Sequence, residues 1–140
     1  MTSTRALGNK IERLAESEME AHGWLVERAR GVILWIGPGR PITKKVDFFG
    51  AFDFVCICAA GARAYHTAPG MHFIQVTAGP TAANVSIRRK KIEAIYPRLP
   101  LGSSAEMWYY RTGRKLKSDR TPRGWQRERL MGGDWVRFFP

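Results

Sequence analysis

Apolar positions along this chain follow two different periods. Between residues 8 and 23, Ile11, Leu14, Ala15 and Met19 recur at spacings of three and four, which predicts a helix with one buried stripe. Gly23 supplies its stop. "WLVERARGVILWIG" then reads as one or two strands and "PGRPITKK" as a loop. "FDFVCICAA" is apolar at almost every position, as in a strand covered on both faces. After a turn region, "HFIQVT" forms the next strand and can pair antiparallel with residues 52–59. "TAANVSIRRKKIEAIYP" predicts a second helix, with Val85, Ile92 and Ile95 inward and an end before Pro97. "AEMWYYRT" and "DWVRFF" read as late strands. The C-terminal part of the basic stretch between them, "GRKLKSDRTPRGWQRERL", is compatible with another. The order α-β-β-β-α-β-β predicts an α/β fold, a mixed central β-sheet flanked by helices. The 140 residues suffice for one domain, 1–140, with one core.

Polar residues interrupt this pattern at a few places. Gln75 and Thr77 stand two apart on one strand, so they share a face. A buried amide without a partner costs about 1–3 kcal/mol, so something must pair with it or the face is wet. Asp53 lies between Phe52 and Phe54, where a carboxylate is costly unless it meets a cation or a metal. If 52–59 and 72–77 pair, Asp53 and Gln75 face each other near one end of the sheet. A helix packed over that end would bring in Glu12. Asp47 stands just before this strand. Each has a simpler reading too. Glu12 becomes the N3 residue of a capping box if Asn9 is the N-cap. Asp47 would open a turn, and Gln75 and Thr77 would be a hydrogen-bonded pair on an edge strand.

Charge changes the picture further. Lys and Arg number 23 against 12 Asp and Glu, a net charge of +11. The excess is lopsided: residues 1–80 carry nine bases and seven acids, residues 81–140 carry 14 and five. That bias points to a polyanionic partner, nucleic acid before anionic membrane. Its alternative is a solvated basic surface. No run of 18 apolar residues could span a bilayer, and "MTSTRALGNK" lacks the apolar core of a signal peptide. A cytoplasmic protein is expected. Cys56 and Cys58 share a strand face, which is poor geometry for a disulfide and reads as buried structural thiols. Trp108, Trp125 and Trp135 are core aromatics or platforms for bases.

Taken together, "FDFV" and "IQVT" resemble the two motif strands of the PD-(D/E)xK nuclease superfamily, the first with its Asp, the second with Glu or Gln, one residue, then usually Lys. Gly8, Glu12 and Arg13, followed by Gly23, Trp24 and Arg28, are similar to the opening of archaeal Holliday-junction resolvases. "DFFGAFD" and "IQVT…NVSIRRKKI" also look like phage and bacterial nuclease-like proteins of the superfamily. The resemblance covers roughly residues 8–95. It departs where Gln75 replaces Glu and Thr77 replaces Lys.

The resemblance implies a restriction-endonuclease-like core and metal-dependent cleavage of DNA, with branched DNA or a four-way junction as substrate and a homodimer as the acting form. It also implies a bacterial or phage-infected cell. Glu12, Asp53, Gln75 and Thr77 would be the catalytic set. Mg²⁺ or Mn²⁺ would be held by Glu12, Asp53, the Gln75 side-chain oxygen and the Val76 carbonyl, with Asp47 a further acid. Hard cations of this kind take oxygen ligands. A cation replacing the missing Lys would come from Lys91, Arg88, Lys44 or Lys45. The charge bias, apart from the resemblance, places DNA contacts on these four, on Arg89, and on the basic C-terminal part (about residues 100–140) through Arg114, Lys115 and Lys117. A non-catalytic DNA-binding relative is the alternative.

Overall fold

The computed structural model describes residues 4–35, 37–58, 70–78, 82–111 and 124–138. Helix α1 (Thr4–Ala21) precedes five strands: β1 (Leu25–Arg28), β2 (Gly31–Trp35), β3 (Pro41–Lys45), β4 (Phe54–Cys58) and β5 (Gly70–Ala78). Helix α2 (Ala82–Ile95) continues into a short 3₁₀ turn, Tyr96–Arg98, and is followed by β6 (Ser104–Arg111), β7 (Gly124–Met131) and β8 (Asp134–Phe138). Six strands form one sheet in the order β1-β4-β5-β6-β7-β8, and β2 and β3 form a separate hairpin. Among the described strands of the large sheet, only β5 and β6 run parallel. A parallel pair needs a long crossover, and α2 provides it. The fold is mixed α/β, as expected.

Side chains alternate across β5 and divide the core in two. Ile74 and Val76 meet Ile11, Ala15 and Met19 of α1, together with Phe54, Cys56 and Trp108. Phe73 meets Ile92 of α2, with Phe52, Ala105, Met107 and Tyr109. The two helices therefore cover opposite faces of the sheet. The inward positions expected on both helices are confirmed except for Leu14, which is exposed. Cys56 and Cys58 are buried and form no disulfide. Burial, then the negative charge of Glu106, pushes the Cys58 thiol up to about 11.

Four expectations need correction. The element order contains eight described strands, not five: the open alternatives of two strands in "WLVERARGVILWIG" (β1 and β2) and of a strand at the end of the basic stretch (β7) hold, and β3 is additional. "PITKK" is strand β3, paired along its length with β2, rather than loop. Pro41 hides this in the sequence, yet a strand's first residue is a place where proline is tolerated. Helix α1 begins at Thr4, so Asn9 and Glu12 lie inside it and cannot form an N-terminal capping box. The strand at 52–59 is also less covered than its composition suggests. β4 lies one strand from the edge, and Ile57 is 46% exposed.

Candidate active site

Asp53 sits one residue before β4, its backbone N–H donating to the Ile74 carbonyl (3.0 Å) and its own carbonyl accepting from Ala29 (2.8 Å). This extends the β4–β5 register, in which Phe54 pairs with Ile74, so Asp53 comes opposite Gln75. The apolar flanks explain its placement. Phe52 and Phe54 are both fully buried and carry the carboxylate in with them, leaving Asp53 3% exposed. Two of the described donors meet its Oδ2 there. Asp53 Oδ2 accepts from Gln75 Nε2 (2.8 Å) and from the Val76 backbone N–H (2.8 Å). Gln75 Nε2 also donates to the Val76 carbonyl (2.9 Å). The amide thus presents its NH₂ group to Asp53, not the oxygen that the resemblance assigns to a metal, and it also occupies the Val76 carbonyl.

Glu12 comes from the other face. Its Oε2 accepts from Arg28 Nη2 at 2.7 Å, tying α1 to edge strand β1. Arg28 also reaches Glu16 at 3.8 Å. A cleft of about 400 Å³ opens at the sheet end, lined by Glu12, Asp47, Asp53, Val76, Thr77 and Arg88 among others. A smaller one of about 220 Å³ shares Asp47 and Arg88 with it and adds Gln75 and Lys91. The structure therefore gathers at one place the residues expected from distant stretches of sequence. Thr77 Oγ1 is buried and has no hydrogen-bond partner among the described residues. The hydrogen-bonded Gln75–Thr77 pair is accordingly absent from the described contacts, and β5, which lies between β4 and β6, is not the edge strand that reading assumed.

The basic residues divide. Arg88 and Lys91 line the clefts, Lys91 exposed and Arg88 half-buried. Arg89 does not join them. Its guanidinium pairs with Glu128 of β7 and lies 5.7 Å from the Trp135 ring centroid, an internal role for a residue expected on the DNA-facing surface. Lys44 and Lys45 stand on β3 opposite Val32 and Gly31. Arg114, Lys115 and Lys117 lie outside the described residues. Of the three tryptophans, Trp108 is fully buried, while Trp125 and Trp135 are half-buried against the two core clusters.

Sequence reasoning missed a second buried polar cluster. Glu106 on β6 is fully buried. Its carboxylate meets His72 Nδ1 (2.9 Å), Ser104 Oγ (2.6 Å) and Trp108 Nε1 (3.1 Å), with Arg129 Nη2 at 3.7 Å. Burial alone would push the Glu106 carboxyl up. The hydrogen bond and charge of His72, then Arg129 and Ser104, outweigh burial and hold it below its usual range. The His72 ring stacks on Trp24 at 5.1 Å, with the planes 11° apart. Nearby, buried Arg127 pairs with Glu18 of α1 (2.7 Å) and lies 4.4 Å from the Trp108 ring centroid. The signal was present in "AEMWYY", one acid inside an apolar run, as around Asp53. This cluster lines neither cleft and works as a brace between β5, β6 and β7.

The donor chemistry of the cleft bears on the metal that the resemblance implies. Asp53, Glu12, Asp47 and the unpartnered Thr77 hydroxyl are all hard oxygen donors, the type Mg²⁺ and Mn²⁺ take. Among the described residues no three His, Cys, Asp or Glu side chains stand close enough to form a ready-made metal site. Such an ion would rest on one or two carboxylates and keep much of its water, as Mg²⁺ commonly does. Replacing Gln75 with Glu probes this directly. Two carboxylates would then face each other without the amide's protons, so Gln75→Glu should melt below wild type in EDTA. Added Mg²⁺ should raise its melting temperature more than that of wild type. Equal shifts in both proteins would show that no cation enters beside Asp53.

Comparisons with protein-family models, with curated proteins and with solved structures gave no match to this chain.

Proposed function

We propose that this chain is a metal-dependent DNA endonuclease of PD-(D/E)xK type, acting on branched DNA. The observation that carries the reading is the convergence of Glu12, Asp53, Val76, Thr77 and Arg88 on one cleft. These residues come from α1, the lead-in to β4, β5 and α2, the elements to which the resemblance assigns the site. A divalent ion held by Asp53 and Glu12 would supply a water of lowered pKa and positive charge at the scissile phosphate.

The chain's own groups do the rest. The Val76 N–H and the Gln75 amide fix the Asp53 carboxylate in one orientation. Arg28 holds Glu12 toward the sheet. Arg88 puts a permanent positive charge in the cleft, where it can orient a phosphate oxygen. It takes the place of the lysine that Thr77 lacks. Symmetric cutting of a four-way junction suits a homodimer, which the resemblance also implies. No described helix is long and apolar enough to cross a membrane.

A second reading is a DNA-binding relative without cleavage. It is favoured by one observation: Gln75 already satisfies Asp53 Oδ2 with its NH₂ group, and Thr77 supplies no charge. Both readings require phosphate contacts at Arg88 and Lys91, which lie three apart on α2 and so share a face. Each phosphate neutralised contributes about −0.9 to the slope of log affinity against log salt on duplex DNA. Replacing Arg88 and Lys91 together with Ala should flatten that slope by about 1.8. A slope near zero in wild type, or the same slope in the double variant, would remove DNA from the account. Cleavage assays with and without divalent metal then separate the two readings.

A further inference from the structure

The turn before β4 carries an unusual residue. Phe49 has a positive φ of 55°, the only non-glycine in that region among the described residues, and Gly50 follows at 68°. Two consecutive positive φ angles are what a type I′ turn requires, and the Ala51 N–H closes it onto the Phe48 carbonyl at 3.0 Å. Asn and Gly adopt this conformation readily; a bulky aromatic does not. Such strain persists where the surroundings impose it, often at ligand sites. Burial does not explain Phe49, because it is 65% exposed. Its ring lies 6.2 Å from that of buried Phe73, which steadies it while most of it remains in solvent.

The turn runs beside α2. Asp47 lines the first cleft with Asp53 and Arg88, and Gly50 lines the second with Lys91. Phe49 lines a third cavity, of about 340 Å³, with Ile95, Arg98 and Leu99. Arg88, Lys91 and Arg98 therefore follow one another along the helix and its 3₁₀ turn, over about 15 Å at 1.5 Å per residue. Lys91 and Arg98 are exposed, so this cationic row is open to a polyanion. These neighbouring cavities set a basic edge, an exposed aromatic and a small apolar floor beside α2 and its 3₁₀ turn. That combination is how proteins hold a single nucleic-acid strand: charge follows the backbone and an aromatic ring takes a base.

Resting on the DNA-binding reading above, we propose that these cavities form one path for an unpaired DNA strand leading into the Asp53 cleft, with Phe49 stacking on a base. Phosphates of that strand follow Arg88, Lys91 and Arg98. The strained turn holds the ring out of the core for this contact. A site of this kind selects DNA with unpaired or easily opened bases, as at a branch point.

The test uses the full chain and short fluorescent single strands, in which each position in turn is made abasic. Wild type should lose about tenfold in affinity when one particular base is missing, the effect of one lost aromatic stack. Phe49→Asn should bind the intact strand about tenfold more weakly and show no such position, while melting no lower than wild type, because Asn suits a positive φ. Phe49→Trp should retain the position-dependent loss. If Phe49→Asn binds as wild type does, or wild type shows no sensitive position, the stacking role is wrong. The DNA reading itself then stands or falls separately on the salt slope of the Arg88 and Lys91 variant. A Phe49→Asn protein that melts well below wild type with unchanged DNA affinity would assign the ring to packing or to an apolar protein partner instead.

Discussion

Asp53→Asn is expected to lower cleavage by more than about a hundredfold, beyond the loss typical of an outer partner of a metal site. DNA affinity should stay within a fewfold of wild type or rise slightly. The substitution keeps the shape of the side chain. Its single oxygen can still accept from Gln75 Nε2 and the Val76 N–H, the two donors that converge on Asp53 Oδ2. The melting temperature should therefore change little. What disappears is a negative charge 3% exposed at the cleft, the charge that would attract a divalent cation and repel phosphate. Asp53→Ala differs: it also leaves the Gln75 amide and the Val76 N–H without their shared acceptor, and it should melt lower. If Asp53→Asn cleaves as wild type does, the site is misplaced.

The second large effect concerns stability. Glu106→Ala should cost about 3–5 kcal/mol, the usual penalty for removing one partner of a buried charged network. His72, Ser104, Trp108 and Arg129 would all lose an acceptor inside the sheet. Glu106→Gln should cost less, since the amide retains one acceptor oxygen. Acid should act through the same group. The Glu106 carboxyl titrates below its usual range in the folded chain, so its contribution to stability is complete above the unfolded value of about 4.3 and is lost as pH falls below it. Urea unfolding of wild type and Glu106→Gln across pH 3 to 6 checks this, the variant showing the weaker pH dependence of the two. Parallel curves would place the acid sensitivity elsewhere.

Much of the fold was legible because one signal dominates each element. The stripe of Ile11, Ala15 and Met19 has helical spacing, and all three are buried against the sheet. Asp53 opposite Gln75 followed from the apolar runs that flank both, since those runs leave one register that buries them. The β2–β3 hairpin was obscured where local and tertiary signals disagree: Pro41 and two lysines read as loop, although the strand pairs along its length with β2, outside the main sheet. The start of α1 was misplaced because Gly8 looks like a boundary, while tertiary packing of Leu7 carries the helix past it. The role of Arg89 could not be read from "RRKK", because periodicity gives a helix face but not the acid, Glu128, that meets it from a strand 39 residues away. The Glu106 cluster had the same sequence signal as Asp53, and its partners His72 and Arg129 become visible only once β5, β6 and β7 are placed side by side.

The most direct measurement incubates the wild-type protein with an end-labelled four-way junction and with linear duplex, in Mg²⁺, in Mn²⁺ and in EDTA. The expected result is strand cleavage near the branch of the junction in either metal, little cleavage of the duplex, and none in EDTA. A junction that stays intact in both metals, although bound with a steep dependence on salt, would contradict cleavage and leave a DNA-binding cleft around Asp53.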